Sequence, residues 1–202
     1  LSFSQTLALA ELAPPAGQDD SDEGLLSVAR LDMLLSRGAL DPALALMERA
    51  GPTQPAVFQR FFDVSLLTGQ GDRACAAMTA IPDIAPTFPA RMFCLARTGE
   101  WPAAALTLGT GEALGRIGPG EGELIARFLD PELFEGDGPL PPDPDLTPLD
   151  FQMRMAIAER PDLTGLPLAF VHADLSPLAG WRAQLHATER LLRSGDIEAQ
   201  LW

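Results

Sequence analysis

The side chains that most often perform chemistry in proteins are sparse in this sequence. The chain has two histidines, His172 and His186, and no group of cysteines and histidines at the spacing of a zinc site. It holds neither a G-x-S-x-G nucleophile elbow nor an H-E-x-x-H motif. His172 stands two residues before Asp174, and on a strand these two side chains would point to opposite faces. We therefore interpret each histidine as a surface or packed residue, and we expect no catalytic set, no metal and no cofactor.

Three other groups of residues resemble functional motifs. The stretch from Gly109 to Gly115, GTGEALG, resembles a dinucleotide-binding loop, but it follows a predicted helix where such a loop follows a strand. Glu121 and Glu123 are either paired acids or the solvated start of a helix. An acidic cluster near the N-terminus lacks the EF-hand spacing of a calcium site, and a helix start favoured by the helix dipole is the simpler interpretation. That cluster consists of Asp19, Asp20, Asp22 and Glu23.

The two cysteines, Cys75 and Cys94, are candidates for a disulfide. They fall on consecutive predicted helices that should be antiparallel neighbours, so a bridge between them is geometrically reasonable. Two buried free thiols are the alternative. No C-x-x-C motif is present to lower the pKa of a thiol, so a catalytic dithiol is not expected.

The elements that position these residues are predicted helices, which follow a repeating pattern around four glycines. Apolar residues stand three, four and seven positions before most of these glycines, which places one apolar stripe on a helix that runs into a turn. The first three follow one another at intervals of 31 and 30 residues. Each is therefore predicted to be the turn of a helical hairpin; the four are Gly38, Gly69, Gly99 and Gly195.

The residues after each glycine predict the second helix of the hairpin. A small residue five positions after the glycine lets two helices approach closely. The first three segments have alanine there, at Ala43, Ala74 and Ala104. The fourth has Gln200, which breaks the pattern. Trp101 stands two positions after its glycine, where we expect the ring to fill the corner between two helices; replacing it with alanine should then cost roughly 3–5 kcal/mol of stability.

This order of glycine, apolar residue, small alanine and larger apolar residue resembles the tetratricopeptide repeat, whose period is about 34 residues. The resemblance covers roughly residues 27–117 and returns near residues 180–202. It implies an all-α fold, a solenoid of α-α hairpins with a concave groove built from the first helix of each hairpin. It also implies that the protein binds a protein or a peptide.

The pattern divides the chain into four predicted parts. Residues 1–26 form an N-terminal helix and an acidic loop, and residues 27–134 form the helical repeats. Residues 135–149 form an extended connector because they are rich in proline; a proline-rich ligand for another domain is the alternative. Residues 150–202 form a C-terminal helical segment that is expected to continue beyond the end of the chain.

Two features of the C-terminal segment bear on its structure. Asp150 is predicted to cap the N-terminus of its first helix. The apolar run from Gly165 to Leu175 is too short to assign from its pattern, and it fits either a buried helical turn or a strand. A further helix is expected to run through Trp181.

The charge of the chain narrows the class of partner. There are 28 acidic residues and 14 basic residues, a net charge of −14. A phosphate backbone or an anionic membrane surface would be repelled, so a basic protein or peptide is the better match. Three arginines precede their glycines at nearly the same distance: Arg30 and Arg91 by eight positions and Arg60 by nine. They are predicted to form one exposed strip that holds a carboxylate-bearing ligand, or to be solvated side chains whose stems cover apolar surface.

The sequence therefore predicts a non-catalytic helical-repeat protein that acts as a scaffold or adaptor. The alternative is an enzyme, or an accessory to one, that acts on a cell-envelope polymer at a site near residues 135–178. A third hypothesis is a structural arm of a larger assembly. The absence of Lys, Asn and Tyr indicates a GC-rich, bacterial genome. The paired cysteines and the start at Leu1 favour the periplasm or cell envelope, with the cytoplasm as alternative.

Overall fold

The computed structural model describes Ala10, residues 20–177 and residues 179–195; for residues 20–25 and Ala56 it describes the backbone alone. Over these ranges the chain forms nine α-helices, three 3₁₀ helices and no strand, which confirms the all-α prediction. The α-helices are α1 (Asp20–Ser36), α2 (Leu40–Ala50), α3 (Pro55–Leu67), α4 (Gly71–Ala80), α5 (Phe88–Arg97), α6 (Trp101–Ala113), α7 (Pro119–Leu129), α8 (Pro148–Ala156) and α9 (Trp181–Ser194). The 3₁₀ helices are Pro82–Ile84, Pro131–Phe134 and Leu168–Leu175.

A glycine in the left-handed conformation follows the helix end at each of the four positions where the sequence predicts a hairpin turn. The φ angles of Gly38, Gly69, Gly99 and Gly195 lie between 74° and 88°. At the end of α5 the amide of Gly99 donates to the carbonyl of Ala96, and the next amide donates to the carbonyl of Leu95. These bonds satisfy the last carbonyls of the helix, and a side chain would be strained at such a φ.

Among the described residues, those before position 70 pack with those after position 162 into one compact unit. Helices α1, α2 and α3 contact one another pairwise, and the 3₁₀ helix Leu168–Leu175 contacts α1, α3 and α9. The Nε2 atom of His172, on that 3₁₀ helix, is hydrogen-bonded to the carbonyl oxygen of Gly38 at 2.7 Å. The largest fully buried side chains of this unit are Leu31, Leu34, Leu40, Met47, Phe58, Phe62, Val64 and Leu191.

Residues Gln70–Asp162 form a second compact unit. Helices α4, α5, α6, α7 and α8 contact one another in chain order, and α8 also contacts α5. Gly111 of α6 allows a close approach, because a Cβ atom there would lie 2.4 Å from Cδ1 of Ile117. The core of this unit is built mainly from Met78, Met92, Phe93, Ala104, Leu124, Ile125, Phe151 and Met153.

Two helices begin earlier than the sequence indicates. Helix α1 begins at Asp20, so most of the acidic cluster that was predicted to lie in a loop falls in its first turns, where carboxylates are favoured. Helix α8 is capped by Thr147, so the prediction that Asp150 is the N-cap is wrong. Thr147 Oγ1 accepts from the amide of Asp150 at 3.1 Å, and Asp150 Oδ2 accepts from the amide of Thr147 at 3.3 Å. This reciprocal capping box has the acid at the third helical position.

The packing also divides the chain differently from the linear order of parts that the sequence predicts. Residues 135–147 contain no regular helix and belong to the second unit, whereas the segment after residue 162 returns to the first unit. The apolar run that fits a helical turn or a strand forms the 3₁₀ helix Leu168–Leu175. The predicted N-terminal helix and the second helix after Gly195 lie outside the described residues. The assignment to the tetratricopeptide family stays a prediction.

Candidate interaction surface

A disulfide joins the two cysteines of the second unit. Cys75 on α4 and Cys94 on α5 are bonded, with their Cα atoms 5.1 Å apart. Both residues are buried. The bond therefore crosslinks two neighbouring helices within the core, away from solvent, which is the environment of a structural disulfide and not of a reactive thiol.

The three arginines of the predicted ligand strip lie in different environments. Arg60 on α3 forms a two-point ion pair with Asp32 on α1, with Nε–Oδ1 at 2.6 Å and Nη2–Oδ2 at 2.9 Å. The hydrogen bond to Asp32 raises the pKa of Arg60 above its ordinary value. Arg30 is half-buried in the same unit, and Arg91 is exposed in the second unit. The guanidinium of Arg60 thus already holds a carboxylate of its own chain.

A shielded carboxyl lies one turn after this arginine. Burial raises the pKa of Asp63 to about 6, and hydrogen bonds from Gln59 act in the opposite direction. The amide nitrogen of Gln59 lies 3.1 Å from each oxygen of Asp63. Because the largest cause is loss of water and not a second acid, we interpret this group as a packed carboxyl that titrates near neutral pH.

Buried charges hold the proline-rich residues 135–147 against the second unit. Arg127 on α7 pairs with Glu123 at 2.7 Å and with Glu159 at 3.3 Å, and its Nη1 donates to the carbonyl of Gly138 at 2.8 Å. Its guanidinium also lies 5.5 Å from the ring centroid of Phe134. A segment that forms no helix of its own thereby obtains partners for its backbone from side chains.

The same network continues to α8. Glu159 Oε2 accepts from the amide of Leu140 at 2.9 Å, and Arg154 Nη2 donates to the carbonyl of Pro141 at 2.7 Å. Arg154 also lies 3.7 Å from Glu159. Arg127, Arg154 and Glu159 are therefore structural anchors of this segment.

A pocket of about 200 Å³ opens beside this network. Partial burial raises the pKa of Glu121 at its wall, and the negative charge of Asp150 acts in the same direction. In the described part of the chain, no three acidic, histidine or cysteine side chains are grouped to hold a metal ion. The lining has no histidine; it consists of Gly120, Glu121, Leu124, Asp143, Asp150 and Arg154. His172, which falls within the residues 135–178 of the enzyme alternative, is buried in the first unit and is hydrogen-bonded to Gly38.

Trp101 does not fill the corner between two helices, and the prediction that it is buried is wrong. The residue is 46% exposed, whereas Leu40, at the same position after Gly38, is fully buried. The indole contacts the edge of an aromatic cluster, with ring centroids 6.1 Å from Phe128, which itself stacks on Phe93 at 5.6 Å. Because the ring lies over a side chain of α7 and not inside the hairpin, about half of its surface remains in water.

Most of the exposed side chains of α6 are apolar, and this feature was missed by sequence reasoning. Only Ala104 and Gly111 of this helix are fully buried. Leu106 is 74% exposed. Thr110, one turn later, is also exposed, and its hydroxyl donates to the carbonyl of Leu106. We define the α6 face by the exposed apolar and glycine residues of this helix, Trp101, Pro102, Ala105, Leu106, Gly109 and Ala113; Thr110 and Glu112 are the exposed polar residues of the same helix.

The repeat register gives a matched comparison for this face. The positions three, seven and ten residues after the turn glycine are exposed in all three second helices. In α2 and α4 they hold a charged residue first and another polar residue last, whereas in α6 all three are apolar or glycine. The three sets are Asp41, Ala45 and Glu48 in α2, Asp72, Ala76 and Thr79 in α4, and Pro102, Leu106 and Gly109 in α6. A signal was available in the sequence, since residues 101–113 lack a polar stripe.

Helix α9 carries a second exposed apolar stripe, in the first unit. Trp181 is 68% exposed, and Leu185 and Leu192 are also exposed on the same side of the helix. The opposite flank, with Ala187 and Leu191, is buried against Val171. In α5 the positions ten and three residues before the turn glycine are buried, whereas the equivalent Leu185 and Leu192 are exposed.

The chain matches no protein-family model, no curated protein and no solved structure. Among the residues that the structure describes, no helix is long and apolar enough to span a membrane.

Proposed function

We propose that the protein is a non-catalytic helical-repeat protein that binds another protein through the α6 face. The observation that carries this proposal is the exposure of Trp101 and Leu106 on a helix whose outer face has no charged residue at the register positions where α2 and α4 are polar. A scattered exposed leucine needs no explanation, but a continuous apolar helix face is typical of a binding surface.

The composition of this face suits a protein partner. Tryptophan is among the residues that contribute most to binding energy at interfaces, because it buries a large area with few rotatable bonds. Trp101 is held by Phe128, so its ring is positioned before any partner arrives. A pre-positioned side chain loses less conformational entropy on binding, which favours affinity.

The proposal includes an exported location in a GC-rich bacterium, in the periplasm or cell envelope, where the protein serves as a scaffold or adaptor. The Cys75–Cys94 disulfide supports this location, because disulfides persist in oxidising compartments and are rare in the cytosol. A thiol titration of the protein isolated without reductant from its native cells should then find no free thiol. Two free thiols would contradict export.

The experiment that tests the function compares variants of the exposed faces in the cells that make the protein. Cross-linking followed by affinity purification should recover a defined partner with the unmodified chain and lose it with Leu106→Glu. Ala45→Glu is the matched control, since it places the same charge at the equivalent position of α2. All three proteins should melt at the same temperature, because both side chains are exposed. Recovery of the same partner with Leu106→Glu would contradict the proposal.

A further inference from the structure

We infer that the α6 face receives an amphipathic α-helix of a partner protein, whose apolar stripe is flanked by arginine or lysine residues. This inference rests on the proposed function and adds the secondary structure and the charge of the partner. Three features support it: the shape of the side chains on the face, the hydrogen-bonded backbone of α6 and the distribution of charge along the chain.

The relief of the face fits a helix. Trp101, Ala105, Gly109 and Ala113 recur every four residues, so they form one row along α6. After the indole, the row consists only of small side chains, which lets the axis of a second helix approach closely. The large side chain of Leu106 projects from the adjacent row. The small side chains therefore form a shallow groove, with Trp101 at one end and Leu106 along one side. Because α6 rises by 1.5 Å per residue, the row spans about 18 Å, which is three to four turns of a partner helix.

The backbone of α6 excludes one alternative, a peptide that adds to the protein as a strand. A peptide that binds as a strand obtains its affinity from backbone hydrogen bonds to an exposed sheet edge. The described residues contain no strand, and the amides and carbonyls within α6 are used in the helix itself. A partner must therefore bind α6 through side-chain packing. A helix suits this mode of binding because it presents a continuous row of side chains.

The distribution of charge determines the flanks of that helix. Glu100 and Glu112 are exposed near the two ends of the face. No basic residue occurs between Arg97 and Arg116, so the only charges along the face are negative. The second unit as a whole has fifteen acidic residues and seven arginines. Basic flanks on the partner would complement this field, speed association and exclude acidic competitors.

The same charges disfavour a second copy of this chain as the occupant. Packing α6 against α6 of another copy would bring Glu100 and Glu112 of both chains to one interface, with no cation between Arg97 and Arg116 to separate them. Like charges that meet at an interface oppose association. Self-association through α6 is therefore the alternative that the test must rule out.

The test uses three synthetic peptides of about 18 residues, the length that spans about five turns of helix. One has a leucine stripe with arginine flanks, one has the same stripe with glutamate flanks, and one has the arginine-flanked composition in scrambled order. The full chain has three tryptophans, so the background Trp181→Phe/Trp202→Phe leaves Trp101 as the only emitter. Its fluorescence then reports directly on the α6 face.

The arginine-flanked peptide should bind with a blue shift of the Trp101 emission. Its Kd should rise roughly tenfold when ionic strength is raised from about 0.05 M to about 0.5 M, because the carboxylates are exposed to screening. Glu100→Gln/Glu112→Gln should weaken binding about tenfold. Leu106→Glu should abolish it, and Ala45→Glu should leave it unchanged. The scrambled and glutamate-flanked peptides should not bind.

Three results would overturn the inference: no binding of the arginine-flanked peptide, equal binding of the glutamate-flanked peptide, or a dimer of the chain that Leu106→Glu dissociates in sedimentation. Each is separable from the fate of the proposed function. If the cellular partner is lost with Leu106→Glu while the arginine-flanked peptide fails to bind, the helical and basic character of the partner is wrong but the interaction function stands. If the cellular partner is retained with Leu106→Glu, the proposed function itself is wrong.

Discussion

Helices α2 and α6 are both second helices of hairpins that turn at a left-handed glycine, yet they differ in which residues they bury. Helix α2 buries Leu40 at its start and exposes Asp41 and Glu48 on its outer face. Helix α6 exposes its first residue, Trp101, and has an apolar outer face. The backbone rule for the turn is thus the same in both hairpins, whereas the distribution of apolar side chains is not. The turn pattern determines the hairpin, and the departure from it in α6 marks the surface that we propose for binding.

The largest expected effect separates the two residues that follow the turn glycines. Leu40→Ala should lower the free energy of unfolding by roughly 2–5 kcal/mol, because it removes a fully buried side chain and leaves a cavity. Urea denaturation followed by circular dichroism measures the change. An effect below about 1 kcal/mol would mean that the α2 hairpin is loosely packed, and the contrast with α6 would fail.

The second expected effect concerns the Cys75–Cys94 disulfide of the second unit, which contains α6. Cys75→Ala/Cys94→Ala should destabilise the protein by about 3 kcal/mol, because the disulfide closes a loop with a sequence separation of 19 residues. The comparison is made by urea denaturation of the oxidised protein and of the double variant. Addition of reductant should lower the free energy of unfolding of the unmodified protein to a value close to that of the variant. It should leave the stability of the variant unchanged. A reductant effect on the variant would show that the loss of stability does not come from this bond.

The third expected effect is a pH dependence of stability in the first unit, which contains α2 and Asp63. The folded-state pKa of Asp63, about 6, lies above its ordinary value of 3.8, so the folded protein binds this proton more tightly than the unfolded chain does. The resulting stabilisation is complete below about pH 4 and is lost as the pH rises through about 6; a shift of this size corresponds to about 3 kcal/mol.

The measurement for Asp63 is the free energy of unfolding between about pH 4 and pH 7, for the unmodified chain and for Asp63→Asn. The variant should remove the fall in stability that the unmodified protein shows over this window. Asp41→Asn, which changes an exposed carboxylate on α2, is the control and should leave the fall in place. Identical pH profiles for Asp63→Asn and the unmodified protein would show that this carboxyl titrates normally.

The smallest stability effect is expected at Trp101. Because the ring is about half exposed and contacts Phe128 at one edge, Trp101→Ala should cost about 0.5–1.5 kcal/mol, less than the 3–5 kcal/mol that full burial would imply. Thermal melting measures the cost, and the partner recovery of the cross-linking experiment should fall strongly in the same variant. A loss of stability as large as that of Leu40→Ala, with binding retained, would make Trp101 a packing residue and remove the contrast between α2 and α6.

The hairpin turns were predictable because their causes are local. A glycine at a helix end adopts a left-handed φ within a few residues of chain, and Gly38, Gly69 and Gly99 do so where the apolar spacing places a helix end. The burial of Ala43 and Ala104 also follows from a spacing within one hairpin.

The exposure of Trp101 and the engagement of Arg60 were not predictable from spacing, because each depends on a second helix. The indole lies on Phe128 of α7, and the guanidinium binds Asp32, 28 residues away on α1. A repeat pattern aligns equivalent positions, but it does not specify which neighbouring helix contacts them. The position of His172 beside Gly38, 134 residues apart in sequence, is a further contact of this kind.

The contact between His172 and Gly38 has a consequence for the order in which the chain can fold during synthesis. Residues Gln70–Asp162 are continuous and can complete their unit as soon as they leave the ribosome. The first unit begins earlier in the sequence but is completed later. The carbonyl of Gly38 accepts from the nearby amide of Leu40, but its second hydrogen bond comes from His172, which is made more than a hundred positions later. Until then, helices α1–α3 lack the cover of the 3₁₀ helix Leu168–Leu175. The helices that are translated first are therefore among the last to complete their packing, and until then their uncovered apolar surface is open to aggregation.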